Sequence, residues 1–526
     1  MPCPYCFVHP TASNPVPTAD LLLYGGRVLT LDPSCPTVEA IAVSGAHILA
    51  VGAEKDLRAF VSAQTHPLSC AGQTVIPGFI DPHLHLFAWA SRFCGADLSV
   101  ARSLADLQVT LTQRLSFLAH DEWLRGYGYD EFFLAEKRHP TRHDLDAVSR
   151  HRPIILRHRT GHAAVLNSAA LQRARIDQNF VPPGGGIVER GTSGEPSGVL
   201  YELEDYLRTL IPPLSQAEFM DGVQQASSAL LQHGVTSFHD ASAGNTLEDI
   251  ALFQRLSTSG ILKSHATVMV GIAALPHLLE TKLTPFNNAD RVRIGSIKIM
   301  VHEGRGEIYP PPDELREMVW QVHRSGLQVA IHAVEEGAVW AALDAIERAQ
   351  QRLPRQDHRH RIEHCALCPP SLIEKLVDTG SVVVTQPGFL YFYGEKYAAE
   401  LDPSVHNWLY RTKSLQTQSI PVAGSSDCPI APLAPLTSLQ TAMTRQSRSG
   451  RLLNPHERLS LNEALPLFTT AGAWVGFAEK TTGSISPGKR ADLVILDGDL
   501  LTTPVDAIHT LRVTATLVGG EIVWSD

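Results

Sequence analysis

His83 and His85 lie one residue apart in the stretch QTVIPGFIDPHLHL, residues 73–86. On an extended backbone, side chains alternate, so both imidazoles point to the same side. Two neutral imidazoles that close together suit a divalent transition metal such as zinc. The competing reading is a histidine-rich turn that holds nothing. Residues of matching chemistry recur further on. His332, His364 and Asp427 each close a short apolar run, and Lys298 sits inside one, between Ile297 and Ile299. An ammonium group in a buried strand is costly unless it is paired or its pKa falls. A neutral amine there could add carbon dioxide and become a carbamate, whose two oxygens could bridge two metal ions. The alternative is a lysine that snorkels to the rim or pairs with Glu303 or Asp427.

These six residues need a scaffold that delivers them to one place. After the first apolar run, Val75–Pro77 and on past Gly78, seven more read as strands: Gly234–Asp240, His265–Gly271, Arg293–Val301, Leu327–Val334, His360–Ala366, Ser381–Pro387 and Ile420–Asp427. Most follow an amphipathic helical stretch, such as PDELREMVWQVHRSG before Leu327. Eight such units in series predict an α/β fold, a (β/α)8 TIM-type barrel, in which functional groups gather at the C-terminal ends of the strands. His83, His85, His332, His364 and Asp427 all fall at that end.

The distance from Leu86 to Phe238 is too long for one crossover. An insertion over about residues 90–230 is expected, with pieces such as RPIILRHRTGHAAVLNSAAL and PPGGGIVERGTSGEPSGVLYE forming a cap beside the barrel mouth. Residues 19–75 read as β structure, with Gly25-Gly26 and Ser44-Gly45 as hairpin turns. Residues 480–526 have the same style, with Gly519-Gly520 as a turn. Neither end can bury a core alone, so the two are expected to pair as one small β-sandwich, leaving residues 76–479 for the metal-binding barrel.

Composition narrows the class. Of 526 residues, 44% are hydrophobic and 19% charged, an ordinary globular balance, and the net charge of −10 comes with no basic run. A nucleic-acid partner is disfavoured. The proline-rich residues 1–18 carry neither the basic start nor the apolar core of a signal peptide, and no run is long enough to span a bilayer, so no membrane partner and a cytoplasmic location are expected. Nothing in the chain opposes a homo-oligomer. Cys3-x-x-Cys6 with His9, and Cys365-x-x-Cys368, lack the partner motifs of zinc or redox sites and read as a tail and a local turn.

Taken together, PGFIDPHLHL, GHAAVLNSAAL, GVTSFHDA, IKIMVHEG, VAIHAVEEGAV, HRIEHC, VVTQPGF, GSSDCP and GSISPGKRADLVILD span nearly the whole chain. In these motifs the protein resembles the metal-dependent amidohydrolase superfamily, in the branch of the N-substituted formamide deformylases and YtcJ-like hydrolases (amidohydrolase family 3). The resemblance implies that His83 and His85 bind one metal, that His332 and His364 bind the other, and that carboxylated Lys298 bridges them. It also implies that Asp427 binds metal and shuttles protons. Glu303-Gly304 departs from the Asp-Gly often found there, which leaves Glu303 either a contact to a metal-bound group or a strand cap.

The chemistry expected is attack by metal-activated hydroxide on an amide-type C–N bond, with Asp427 moving the proton. The rival is a mononuclear metal-dependent deaminase, which would not need Lys298, or a hydrolase of a cyclic amide, carbamate or ester on the same barrel. No G-x-S-x-G elbow supports serine hydrolysis. The loops after the first and seventh strands carry Phe87, Trp89, Phe389, Tyr391 and Tyr393 and no cation before Lys396, so a small neutral organic substrate is expected. A packing role for these aromatics is the alternative. Arg157 and Arg159 in the insertion would be the residues to examine for an anionic substrate.

Overall fold

The computed structural model describes residues 17–526, apart from 120, 121, 184, 282, 288–290 and 305. The Cys3-x-x-Cys6 motif and His9 lie outside the described residues. The chain divides into two compact units. The larger holds the described residues up to His85, then Ser227–Asp427 and Leu433–Asp526; the other holds Leu86–Ala226 and Cys428–Pro432.

Eight parallel strands organise the larger unit: β1 (Phe79–Leu84), β2 (Val235–Asp240), β3 (His265–Gly271), β4 (Val292–Met300), β5 (Val329–Ala333), β6 (Arg361–His364), β7 (Val382–Thr385) and β8 (Val422–Gly424). They lie side by side in chain order, each paired in parallel with the next. The intervening helices cover them. Helix Pro312–Arg324, for example, buries Leu315, Val319, Val322 and His323, spaced three and four apart on one face. This is the TIM-type barrel that the strand–helix alternation predicts.

The seam between β8 and β1 is closed without a strand ladder. Asp81 in β1 accepts hydrogen bonds from the backbone N–H of Ser426 at 3.1 and 3.2 Å, and the Asp427 N–H donates to the His83 carbonyl at 2.8 Å. The segment just beyond β8 is thereby fastened to the histidine-bearing end of β1.

Strands from both chain ends make the second part of this unit. A six-stranded sheet interleaves Arg27–Leu29, Thr37–Val38 and Thr74–Pro77 with Leu493–Leu496, Val513–Val518 and Glu521–Ser525. A four-stranded sheet of Leu21–Tyr24, Ala40–Ser44, His47–Gly52 and His66–Ser69 packs on it, and Leu23, Ile41 and Ile48 share one buried cluster with Val75, Leu493 and Leu517. Ser44-Gly45 and Gly519-Gly520 each join antiparallel neighbours.

Two local expectations are corrected. Gly25-Gly26 is no hairpin turn, because the strands on either side enter different sheets. A side chain at Gly26 would lie 2.6 Å from the Cys70 carbonyl, so glycine is required there for close backbone approach. Likewise Val75–Pro77 does not begin the first barrel strand. It pairs with Leu493–Leu496, and the chain passes from that sheet into β1 at Gly78, where a Cβ would strike Thr236.

The insertion unit carries a six-stranded sheet of Ala96–Asp97, Leu124–Tyr129, Ile154–His158, Ala163–Leu166, Pro196–Tyr201 and Ile187–Arg190, in that spatial order. Its first three strands run parallel and the rest antiparallel. Helix Leu104–Leu115 covers it with Leu107 and Leu111 in one core with Leu124, Ile154 and Leu156.

Candidate metal centre

The alternation of β1 sends Asp81, His83 and His85 to one side, as the i, i+2 spacing requires. His83 is 1% exposed and His85 is half-buried. Asp427 Oδ1 lies 3.2 Å from His85 Nε2 and 3.6 Å from His83 Nε2, and Oδ2 lies 3.9 Å from His364 Nδ1. The rings of His83 and His364 are 4.8 Å apart, and those of His332 and His364 4.5 Å. One ligand atom each from His83, His364 and Asp427 falls within 4.8 Å of the other two.

Backbone conformation at two of these positions departs from regular strand. His364 has φ +72° and Asp427 has φ +54°, both in the left-handed region that residues with a Cβ avoid. The turn at His364 ends β6 and breaks its alternation. Conformations of this kind cost ~1–3 kcal/mol each and persist where the surroundings enforce them, often at functional sites.

Lys298 sits near the C-terminal end of β4, opposite Gly271 of β3 and Ala330 of β5, and is 1% exposed. Its Nζ has no hydrogen-bond partner among the described residues, and neither has His364 Nε2. Neither Glu303 nor Asp427 is hydrogen-bonded to it, so the paired-lysine alternative is not what the structure contains. Burial pushes the amine down to about 8, against the opposing pull of the Glu363 and Asp427 carboxylates. Burial, reinforced by the Lys298 charge, holds His83 neutral with its pKa well below the usual imidazole value. For Asp427, burial acts upward, but the His85 hydrogen bond and the neighbouring His83 and His364 imidazoles outweigh it, and the carboxyl stays well below its ordinary range. Imidazoles held neutral, a carboxylate and an orphaned buried amine form a donor set that fits divalent metal ions.

Residues not anticipated from the sequence hold these ligands in place. His83 Nδ1 donates to Glu363 Oε2 at 2.5 Å, and Arg361 grips Glu363 through Nε at 2.7 Å and Nη2 at 2.9 Å. Nη2 also reaches the Pro82 carbonyl at 2.8 Å, and Nη1 lies 3.0 Å from His239 Nδ1. His364 Nδ1 donates to Gln386 Oε1 at 2.9 Å, and the Gln386 amide donates to Ser425 Oγ. His85 Nδ1 is 3.1 Å from Ser242 Oγ. The available signal was Arg361 and Glu363 at i, i+2 in a short buried strand, which puts two opposite charges on one face.

The residues expected to meet substrate are distributed unevenly. The segments after β1 and β7 are helices rather than loops, Leu86–Phe93 and Phe389–Glu400. Phe87 and Trp89 belong to the insertion unit, where Phe87 packs on Phe219 and Trp89 on Phe93. Phe389 and Tyr393, one helical turn apart, are buried against each other, and Phe389 also meets Tyr410. Tyr391 is half-buried near His509. Glu303 is exposed in a short hairpin, His302–Gly304 with Glu307–Tyr309, and its carboxylate lies over Gly337 in the first turn of helix Glu336–Arg352. Cys365 and Cys368 are buried free thiols; the Cys368 hydrogen bond and burial push the Cys365 thiol up, opposite to a redox-active pair. In the insertion, Asp130, Glu131 and His158 bring ligand atoms within 4.8 Å of one another, and Asp130 is ion-paired with Arg159.

A parallel eight-stranded barrel with four histidines, a buried lysine and an aspartate at its strand ends defines a metal-dependent hydrolase of the amidohydrolase superfamily. The amidohydrolase family profile matches residues 69–524, and the chain belongs to that family. It is 27% identical to the putative amidohydrolase YtcJ of Bacillus subtilis, over 95% of this chain and 98% of that protein. Identity is also 27% to the N-substituted formamide deformylase of Arthrobacter pascens, over 96% of this chain and 98% of that one. Among solved structures, an uncharacterized metal-dependent hydrolase from Pyrococcus furiosus superposes with a TM-score of 0.71 at 27% identity, covering 91% of this chain and 99% of its own. Among the described residues, no helix is long and apolar enough to cross a membrane.

Proposed function

We propose that the protein is a binuclear hydrolase that cleaves an amide-type C–N bond in a small neutral substrate, an N-substituted formamide or amide. The observation that carries the binuclear part is Lys298, a fully buried amine without a hydrogen-bond partner, on the same barrel as the His83–His364–Asp427 cluster. As a carbamate it would have two oxygens available for two ions. His83 and His85 would hold one ion, His332 and His364 the other, and Asp427 would contribute to the centre. The choice of a C–N bond is supported by the formamide-deformylase relative and by the lack of any serine-hydrolase motif.

Divalent ions, zinc above all, supply Lewis acidity when bound, acidifying water and polarising a carbonyl. The remaining work falls to side chains. Asp427, within 4 Å of three ligand histidines, accepts the proton of the attacking water and returns it to the leaving nitrogen. Glu363 and Gln386 keep the Nδ1 protons of His83 and His364 directed away from the centre, so that each Nε2 presents a lone pair. Helix Phe389–Glu400 begins three residues after Gln386 and carries five aromatic or aliphatic residues, Phe389 to Tyr393, before its first charge, which supports the reading of a neutral substrate. Arg159, engaged by Asp130, is already neutralised as a partner for substrate carboxylates.

The compact trio of His83, His364 and Asp427 would suffice for a single ion, which is the geometry a mononuclear deaminase would use. Metal analysis separates the two. Two equivalents per chain together with turnover of neutral aromatic formamides or amides faster than matched N-acyl amino acids is the expected result. One equivalent, or a preference for the anionic series, would overturn the proposal.

A further inference from the structure

Met300, the last residue of β4, is the one exposed residue of that strand. It is 37% exposed, whereas Ile297, Lys298 and Ile299 before it are at most 1% exposed. Side chains alternate along a strand. Lys298 points into the barrel, where the Glu363 and Asp427 carboxylates act on it, and Ile299 points the other way. Two residues beyond Lys298, Met300 therefore returns to the inner face, at the C-terminal mouth of the barrel. In register it lies opposite His332 of β5, and residues opposite one another in a parallel pair share a face. The Val301 N–H donates to the His332 carbonyl at 3.0 Å and fixes that register where the strand ends. Met300 thus stands beside a ligand histidine and above Lys298, with open space in front of it.

The direction in which a substrate lies follows from Asp427. Under the proposed function this carboxylate returns the proton to the leaving nitrogen, so the nitrogen lies toward the end of β8, where Asp427 sits among His83, His85 and His364. The carbonyl oxygen faces the ligand cluster. The third substituent of the trigonal carbon, the acyl group, takes the remaining direction, away from β8. In a ring of eight strands β4 is four places from β8, diametrically across the mouth. The acyl group therefore runs toward Met300.

We infer that Met300 is a specificity-determining residue that closes the acyl side of the pocket and restricts the substrate to a short acyl group, formyl above all. The inference rests on the hydrolase reading above and narrows it to formamides. A methionine side chain is long and apolar, and it fills space that a longer acyl chain needs. One methylene more or less in an apolar pocket changes specificity by about 10–200-fold, so a single side chain is enough to set acyl length.

The test compares formanilide, acetanilide and propionanilide, which differ only on the acyl side, and separately formanilide and N-methylformamide, which differ only on the nitrogen side. Met300→Ala is expected to raise kcat/KM for acetanilide and propionanilide relative to formanilide by about tenfold or more. The ratio between the two formamides and the metal content should stay as in wild type, and Met300→Leu, of similar volume, should keep the wild-type acyl ratio. A role in packing alone would lower all rates together. Binding to the wild-type protein gives a second readout that needs no turnover. The chain has six methionines, so in methyl-labelled protein the Met300 signal is identified by nuclear magnetic resonance from its loss in Met300→Leu. That signal is expected to shift on addition of propionate, the acyl-side product, and to stay in place with aniline, the nitrogen-side product. An unchanged acyl ratio in Met300→Ala, a shift in the nitrogen-side ratio instead, or a Met300 signal that answers to aniline and not to propionate would overturn the inference and leave the hydrolase reading intact. A wild-type chain that hydrolyses none of these amides would overturn that reading, and the inference with it.

Discussion

Lys298 is costly to keep where it is: a buried amine with no hydrogen-bond partner among the described residues. If its purpose is to bridge, Lys298→Ala should lower bound metal to one equivalent or less and cut turnover by about 10²-fold or more, while Lys298→Glu retains part of both; elemental analysis and initial rates check this. A lysine serving packing alone would leave metal and rate untouched in the alanine variant. Asp427 offers the complementary case. Asn preserves its size and one oxygen but takes no proton, so Asp427→Asn should stay folded and largely metal-loaded while turnover drops by roughly 10²–10⁴-fold. The six ligand candidates were legible in the sequence because each is a polar residue set in, or at the end of, an apolar run. Glu363 was not singled out, since its significance comes from His83, 280 positions away in the chain, and spacing reports nothing across that distance.

Among the elements, the seam between β8 and β1 is the most exposed to attack by mutation. Asp81 there satisfies the backbone N–H groups of Ser426 and His83, and burial raises its pKa to about 7 even with those bonds in place. Asp81→Ala leaves both donors buried and unmatched, which costs about 1–3 kcal/mol apiece. A lower denaturation midpoint is expected, together with weaker metal retention, because Asp427 follows directly on the unfastened segment. Retention of wild-type stability would show that the seam is held by packing instead. The eight barrel strands were readable from short apolar runs alternating with amphipathic helices. The destinations of the strands around Gly25-Gly26 and before Gly78 were not, because a turn's residues specify how the chain bends and not which sheet receives it.

At the scale of the molecule, acid should be the more damaging pH extreme. His323, His358 and His360 form a buried group in which His323 Nδ1 and His360 Nε2 are 2.8 Å apart and His358 Nε2 lies 3.1 Å from the Thr379 carbonyl. Burial pushes His358 down to about 4 and holds His360 well below the ordinary imidazole value. The unfolded chain therefore binds more protons than the folded one between about pH 6.5 and 4, and stability falls as pH falls through that window. Denaturant midpoints measured on metal-free protein should decline steadily from pH 7 to pH 4.5; a flat profile would contradict neutral burial of these rings.

The interleaved sheet of chain ends also sets a timetable for biosynthesis. Thr74–Pro77 pairs on one side with Arg27–Leu29 but finds its other neighbour only in Leu493–Leu496, and β1 meets the segment that closes the barrel only after β8 has been made. At ~5–20 residues per second, the early strands wait on the ribosome for roughly 20–80 seconds with an apolar edge uncovered. A nascent chain halted at residue 480 would already encode every metal ligand, yet it would lack the strands that cover Val75 and Ile76. Such a chain should be captured by chaperones or degraded instead of being released as a functional truncation. Pulse-labelled fragments ending before and after Leu496 would show the change as a step in protease resistance.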